Sequence, residues 1–228
     1  KSSTLLGRIM FQAMGVHGPA LSPLAALLMD IVLLGCAFWL LAKPTKRPIF
    51  DSLFLMSLVL SVSLLRIVMQ PLPNVQPVTV AALLVGAQLG ARRGAAFAVL
   101  VAMISNFFIG NGWWTLFQAA GWASIAFAGS RLSLVTSSGF NLRRACIASL
   151  VAAFWFDLVV SFSILDGTIS ITEFITYLAH GLPFDFLHMA GNFVFVVWMG
   201  SWFTGLLQEE PTLEEIEFAV VNGHGIDG

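Results

Sequence analysis

The sequence has little charge, and this shortage excludes most soluble proteins. Only 10% of its 228 residues are charged, whereas 58% are hydrophobic; an ordinary soluble domain has roughly 25% charged residues. Eleven basic and twelve acidic side chains are too few to cover the surface of a soluble chain of this size. The net charge of −1 also excludes a basic surface for nucleic acid. The composition therefore predicts an integral membrane protein.

Cysteine is scarce as well, and the motifs of common enzymes are missing. Cys36 and Cys146 stand alone in apolar runs, which excludes a CxxC metal site and a disulfide framework and favours a packing role for both. The chain contains no HExxH, no GxSxG and no glycine-rich phosphate loop. We therefore expect neither an enzyme nor an ATPase, and no resident metal or cofactor.

What the sequence does have is a series of long apolar runs, which predict an all-α membrane protein with seven spans. A shorter run at 171–179 is typical of a surface or re-entrant helix, and the sequence Gly181-Leu182-Pro183 predicts a break after it. The predicted spans are 24–42, 52–69, 78–91, 94–110, 116–129, 145–165 and 184–207. The predicted organisation is an extracellular segment (1–23), an additional N-terminal span with a basic loop (24–47), a six-helix core (48–207) and an acidic cytoplasmic tail (208–228).

The basic residues between these runs predict the orientation. All eight fall on alternate sides of the predicted spans, and the loops at 71–77, 111–115 and 166–183 contain none. Because basic loops remain in the cytoplasm, we expect the N-terminus outside and the C-terminus inside. The eight residues are Lys43, Lys46, Arg47, Arg92, Arg93, Arg131, Arg143 and Arg144.

Polar side chains in the apolar runs are concentrated in the outer half of the predicted membrane. Ionisable groups in hydrocarbon are costly, so each one is a candidate functional residue. Asp185, His188 and Asn192 are spaced i, i+3 and i+7, which places them on one helix face. The pattern predicts a ligand site open to the outside and closed towards the cytoplasm. The candidates are Arg66, Asn74, Gln76, Asn106, Asn111, Trp113, Trp114, Gln118, Asp157, Asp185, His188 and Asn192.

Structural roles for these residues remain open from the sequence. Arg66 could form a purely structural ion pair with Asp157 or Asp30. Trp113 and Trp114 are also typical of membrane-interface anchors. Asp185 could be a first-turn acid favoured by the helix dipole, and a lone histidine such as His188 is often only a packed core residue.

Three motifs in this chain resemble those of the substrate-binding S components of energy-coupling factor (ECF) vitamin transporters. The likeness runs from about Ser52 to Leu207 and is closest to the branch that includes cobalamin S components. The motifs are Pro73-Asn74-Val75-Gln76-Pro77-Val78-Thr79, the segment 105–115 (SNFFIGNGWWT) followed by Gln118 and Trp122, and the segment 184–192 (FDFLHMAGN).

The resemblance implies a six-helix protein of a prokaryotic cell membrane that captures a vitamin or precursor from outside. Its implied partners are a transmembrane T component and two ABC ATPases. The implied ligand contacts are the polar candidates above, with Trp113 and Trp114 covering a planar or macrocyclic ligand. Were the ligand a corrinoid, its cobalt would belong to the substrate, and His188 would be either a ligand of that metal or a structural ring partner.

The sequence departs from the family pattern at the expected partner contact. The family commonly has Ala-xxx-Ala on its first core helix, where this chain has Ser57 and Ser61, a small-xxx-small pair that still allows close helix approach. Asn111 and Trp114 replace a glutamine and a proline. Two other functions remain alternatives: a permease that works alone, for which we find no long inverted repeat, and a membrane scaffold without a ligand.

Overall fold

A computed structural model describes residues 21–43, 48–136, 139–165 and 167–206. These residues form an all-helical protein with one two-residue β-hairpin, β1 (Val135–Thr136) and β2 (Gly139–Phe140). The helices are α1 (Pro23–Leu41), α2 (Pro48–Val68), α3 (Val78–Ile109), α4 (Trp114–Gly129), α5 (Leu142–Ser161) and α6 (Ile171–Leu206). A short 3-10 helix, Phe162–Ile164, extends α5. The predicted acidic tail and all but the last three residues of the predicted extracellular segment lie outside the described residues.

Within the described residues, five helices are long and apolar enough to cross a membrane: α1, α2, α3, α5 with its extension, and α6. Large apolar side chains are exposed on the outer surfaces of these helices, as with Leu60 on α2 and Trp198 on α6. Such surfaces suit lipid and not water. The prediction of a multi-pass membrane protein is thus confirmed. The count of seven spans stays a prediction, because α4 has only 16 residues and α3 reverses its direction.

The reversal in α3 occurs at Gly90. Its φ of 83° and ψ of 167° belong to a region that only glycine adopts readily. Gln76, just before α3, and Asn106, near its end, both accept hydrogen bonds from Arg66. A straight helix of 32 residues would hold its two ends about 48 Å apart. The two halves of α3 therefore run back to back, close to the predicted boundary between the runs 78–91 and 94–110.

Small residues allow the halves of α3 to approach each other and α4. A Cβ atom at Gly94 would lie 2.7 Å from the Cα of Gly86, and one at Gly86 would overlap the carbonyl oxygen of Ala126. A Cβ at Gly129 would overlap the carbonyl of Leu83 in the same way. Close backbone approach at small residues is a usual means of helix association in membranes. It makes α3 the centre of the protein, in contact with every other helix.

Helix α6 begins with a capping box that the sequence analysis did not identify. The Ser170 backbone N–H donates to the Glu173 carboxylate at 2.8 Å, and the Glu173 N–H donates to the Ser170 hydroxyl at 3.3 Å. The helix then continues through Pro183, so the predicted break at Gly181-Leu182-Pro183 was wrong. A proline in a membrane helix is tolerated where neighbouring groups satisfy the freed backbone. At about 1.5 Å per residue, 36 residues exceed a hydrocarbon core of about 30 Å, so α6 either tilts or extends beyond it.

Helix α1 is attached to the α3 region at two points. Near the middle of α1, the Asn111 amide donates to both carboxylate oxygens of Asp30, at 3.0 and 3.1 Å. At the C-terminal end of α1, the Arg92 guanidinium donates to the carbonyls of Trp39 and Leu40 and lies over the Trp39 ring. The Gly90 turn, with its two arginines, and the polar loop after α3 lie at opposite ends of the second half of α3.

Candidate functional site

The centre of the polar site is Arg66, one turn from the end of α2. Arg66 is 4% exposed, and its guanidinium donates to side chains from three other parts of the chain. The Nε atom lies 3.0 Å from the Gln76 carbonyl oxygen, and Nη2 lies 3.3 Å from that of Gln118. Nη1 donates to the Asn106 carbonyl at 2.7 Å and to the Ser105 hydroxyl. The structure therefore brings four predicted residues together: Arg66, Gln76, Asn106 and Gln118.

Every one of these acceptors is neutral. Among the described residues, no carboxylate lies within 4.0 Å of Arg66; the described ion pairs are Arg93 with Asp51 and His188 with Asp157. Asp30 bonds to Asn111 instead. The ion pair of Arg66 with Asp157 or Asp30, which the sequence left open, is thus not present.

The hydrogen bonds around Arg66 continue towards α1. The Asn106 amide donates to Thr115 at 2.8 Å, and the Thr115 hydroxyl donates to the Asn111 carbonyl at 2.7 Å. Asn111 in turn binds Asp30. These hydrogen bonds fix the loop between α3 and α4 against the site. They also make Asn111 a member of the site, although its side chain is exposed.

A second polar group is centred on His188 of α6. The Nδ1 atom of His188 is 2.9 Å from a carboxylate oxygen of Asp157, and its Nε2 atom is 2.9 Å from the Thr79 hydroxyl. The Trp122 indole N–H donates to the same hydroxyl at 3.0 Å. Asp157, His188, Thr79 and Trp122 thus form a row of hydrogen-bonded side chains, and helices α3, α4, α5 and α6 each supply one of them.

Trp122 joins the two groups. The Arg66 guanidinium carbon lies 5.0 Å from the centre of its ring, within the range of a cation–π contact. The opposite side of the tryptophan is occupied by Phe156, which stacks on it with ring centres 4.4 Å apart. Phe156 then meets His188 edge to face at 5.6 Å. A buried aromatic layer thus separates the cation from the histidine while touching both.

Asp185 and Asn192 extend the face of α6 that carries His188. Asp185 is close enough to Asp157 for the two carboxyls to interact. Asn192 is fully buried and donates to the Ser149 carbonyl at 3.0 Å, and its own carbonyl oxygen has no partner among the described residues. The three predicted residues do share one helix face, and that face is directed at α5.

Three predicted residues lie at the edge of the site. No described hydrogen bond joins Asn74, Trp113 or Trp114 to either polar group. Asn74 has a left-handed backbone with a φ of 56°, and the Trp113 ring meets Phe117 edge to face at 5.5 Å. Both tryptophans are half-buried at the start of α4, beside the loop that Asn111 holds. Their position is compatible with a cover over a ligand and with an interface anchor.

Four members of the site were missed as site residues, although all of them lie within or beside the quoted motifs. Thr79 ends the first motif, Thr115 ends the second, Ser105 precedes Asn106, and Trp122 follows Gln118 by one turn. Hydroxyls that satisfy buried donors are common in any membrane helix, so their type alone is uninformative. The available signal for Thr79 and Thr115 was that each of them ends one of the quoted motifs.

The predicted partner residues Ser57 and Ser61 lie on the opposite surface of α2. Both are exposed, and the Ser57 hydroxyl donates back to the Phe54 carbonyl at 2.7 Å. They leave a shallow strip on a helix that is otherwise lined by exposed leucines. A second helix could therefore approach α2 closely here.

Comparison with known proteins identifies a family, but the function of that family is unknown. None of the curated proteins and none of the solved structures matches the chain significantly. Residues 46–213 match a protein family described as a family of unknown function, DUF6580. That segment contains both polar groups, around Arg66 and around His188, and it covers well over half of the chain. The chain therefore belongs to the family DUF6580.

Proposed function

We propose that this protein is the substrate-capture subunit of an ECF-type importer in a prokaryotic cell membrane. In this proposal, residues 48–207 form an S-component core, and α1 is an addition to it. The core binds a vitamin or related micronutrient, such as cobalamin or a precursor, from outside. A T component and two ABC ATPases then supply the energy for transport, for which this chain has no sequence motif.

One observation carries the proposal: three motifs that are far apart in sequence converge on one buried polar site. The first motif contributes Gln76 and Thr79, and the second contributes Asn106. The third contributes His188. Polar groups that only stabilised helix pairs would be spread along the bundle, whereas these are gathered at one end, as a site filled from one side of a membrane requires.

The site also has the chemistry of a binding protein. Hydroxyl, amide, imidazole and guanidinium groups are hydrogen-bond partners for a polar ligand in a poorly hydrated pocket, where each missing partner is costly. The Thr79 hydroxyl, which adjoins the His188–Asp157 pair, is buried and accepts the Trp122 N–H, so it is enclosed among these side chains.

The first experiment identifies the ligand. Detergent-purified protein is denatured, and the released compounds are analysed by mass spectrometry and absorption spectroscopy. We expect one vitamin-like compound in stoichiometric amount from wild type, and a strong reduction in Asp185→Asn and His188→Ala. Phe186→Ala is the matched control, since Phe186 lies on the same helix and is 60% exposed. Folded variants that retain the compound would argue against a ligand site at these residues.

A second experiment tests the partners. Ser57→Trp and Ser61→Trp place a large side chain on the strip of α2 proposed to contact the T component. We expect both variants to bind ligand normally and to lose co-purification with the T component and ATPases. Val151→Trp, at an exposed position of α5, is the control. Unchanged co-purification of the α2 variants would remove this strip from the interface.

A further inference from the structure

Arg66 carries a buried positive charge that neutral groups solvate but do not balance. Arg66 is 4% exposed, and its guanidinium has oxygen acceptors from two glutamines, an asparagine and a serine. Burying a charge in a low-dielectric region is costly unless an opposite charge accompanies it. Within the described residues, this cation has no such partner at 4.0 Å or less.

The same chain shows what a paired arginine looks like. Arg93, near the Gly90 turn, has its Nη2 atom 3.3 Å from a carboxylate oxygen of Asp51, although its side chain is far more exposed than that of Arg66. The carboxylates named in the site do not reach Arg66: Asp157 is bonded to His188, Asp30 is bonded to Asn111, and Asp185 lies beside Asp157. Among the described residues, Arg66 is thus a buried arginine without a carboxylate beside it.

The two edges of the guanidinium are held differently. The Nη1 side is fixed by Ser105 and Asn106, which are both fully buried on α3. The Nε and Nη2 atoms, which point their N–H bonds in parallel, face the carbonyls of Gln76 and Gln118. Both glutamines are only half-buried, and the Nη2 bond is long at 3.3 Å; the Gln118 carbonyl also accepts from the Asn106 amide at 2.8 Å. The Nε–Nη2 edge is one of the guanidinium edges that bind a carboxylate through two parallel hydrogen bonds.

We propose that the Nε–Nη2 edge of Arg66 binds a carboxylate of the captured molecule, which replaces the Gln76 and Gln118 carbonyls. This inference rests on the proposed capture function and adds a substrate class to it: a vitamin or precursor that carries a free carboxylate. The two ligand oxygens take the places of two separate amide oxygens and bring the missing negative charge. The released glutamine side chains can then turn their NH₂ groups towards the ligand.

The test compares acids with their neutral counterparts on wild-type protein, so it requires no variant. Binding in detergent is measured by calorimetry for four pairs: pantothenate and pantothenol, biotin and biotinamide, nicotinate and nicotinamide, and lipoate and lipoamide. In addition to these binding measurements, the compound released from purified protein is identified by mass spectrometry. We expect any bound pair to favour the acid by about 10- to 100-fold, the range for hydrogen bonds to a charged group, and the released compound to carry a carboxylate.

A variant tests whether Arg66 is the residue that gives the preference for the acid. Arg66→Gln removes the charge, and we expect it to bind the acid and the neutral member with similar affinity. Arg93→Gln is the control with the same chemical change at the other end of the bundle, and it should retain the preference. Should Arg66→Gln fail to fold, the wild-type comparison still decides the matter.

The outcomes separate the two proposals. A neutral or cationic released compound, or equal binding of an acid and its amide, would overturn the carboxylate site and leave the capture function standing. Protein that releases nothing and binds neither a compound of the panel nor cobalamin would overturn both.

Discussion

His188 and Asp157 face each other across α6 and α5, with Nδ1 of the imidazole 2.9 Å from a carboxylate oxygen. It belongs to a row of four side chains: Asp157, His188, Thr79 and Trp122. The Trp122 indole can only donate, so the Thr79 hydroxyl accepts from it, and the same hydroxyl lies 2.9 Å from Nε2 of His188. Each polar group of the row thus has a hydrogen-bond partner within it.

The first prediction concerns the central hydroxyl of that row. Thr79→Val keeps the side-chain shape but leaves the Trp122 N–H and the His188 Nε2 atom without partners. We expect a loss of about 1 to 3 kcal/mol in the free energy of unfolding, measured by denaturant titration in detergent. Thr79→Ser keeps the hydroxyl and should be affected less. Equal losses in the two variants would show that the methyl group, and not the hydrogen bonds, is what matters.

The second prediction concerns the reversal of α3. A Cβ atom at Gly90 would have no heavy atom within 4 Å, so an alanine there meets only the strain of the backbone. We expect Gly90→Ala to destabilise the protein by about 1 to 3 kcal/mol, measured as a lower unfolding temperature. Gly35→Ala in α1 is the control, because it has equal space and ordinary helical geometry. A similar stability of both variants would mean that α3 does not reverse at Gly90.

The third prediction concerns close packing of α4 against α3. A Cβ at Gly129 would overlap the carbonyl of Leu83, whereas Gly205 has open space. Gly129→Ala should therefore separate the two helices and lower the unfolding temperature, and Gly205→Ala should leave it unchanged. Because Gln118 lies on α4, we also expect weaker ligand binding in the first variant. A Gly129→Ala protein with wild-type stability would contradict the close approach.

The fourth prediction concerns orientation in the membrane. In a protein whose two cysteines are replaced by alanine, a single cysteine is introduced at Leu72 or at Leu132, both exposed at opposite ends of the bundle. With a membrane-impermeant maleimide on intact cells, we expect labelling at position 72 and none at position 132 until the cells are opened. The reverse pattern would place the polar site on the cytoplasmic side and end its interpretation as a capture site.

The sequence predicts the helices of this protein well, because hydropathy reports directly which segments avoid water. The predicted runs 24–42 and 116–129 differ from α1 and α4 by at most two residues at each end. The exception is α6. Pro183 in isolation predicts a break, and only the surrounding helices determine whether the backbone it frees is satisfied.

The sequence predicts several residues of the site, but it does not predict which acidic side chain is paired with which basic one. Depth along each span placed Arg66, Asn106 and Gln118 at one level, and they do meet. Which acid would accompany Arg66 depends on which helices are neighbours, and hydropathy carries no such information. Asp157 is hydrogen-bonded to His188 and not to Arg66, because α5 packs on α6.

The contacts of Arg66 also bear on how the chain enters the membrane. Its partners Ser105, Asn106 and Gln118 follow it by 39, 40 and 52 residues. When α2 leaves the ribosome, its arginine has none of the groups that later satisfy it, and a lone arginine opposes insertion. We therefore expect α2 to wait at the translocon until α3 and α4 have been made, and these three helices to enter the bilayer together.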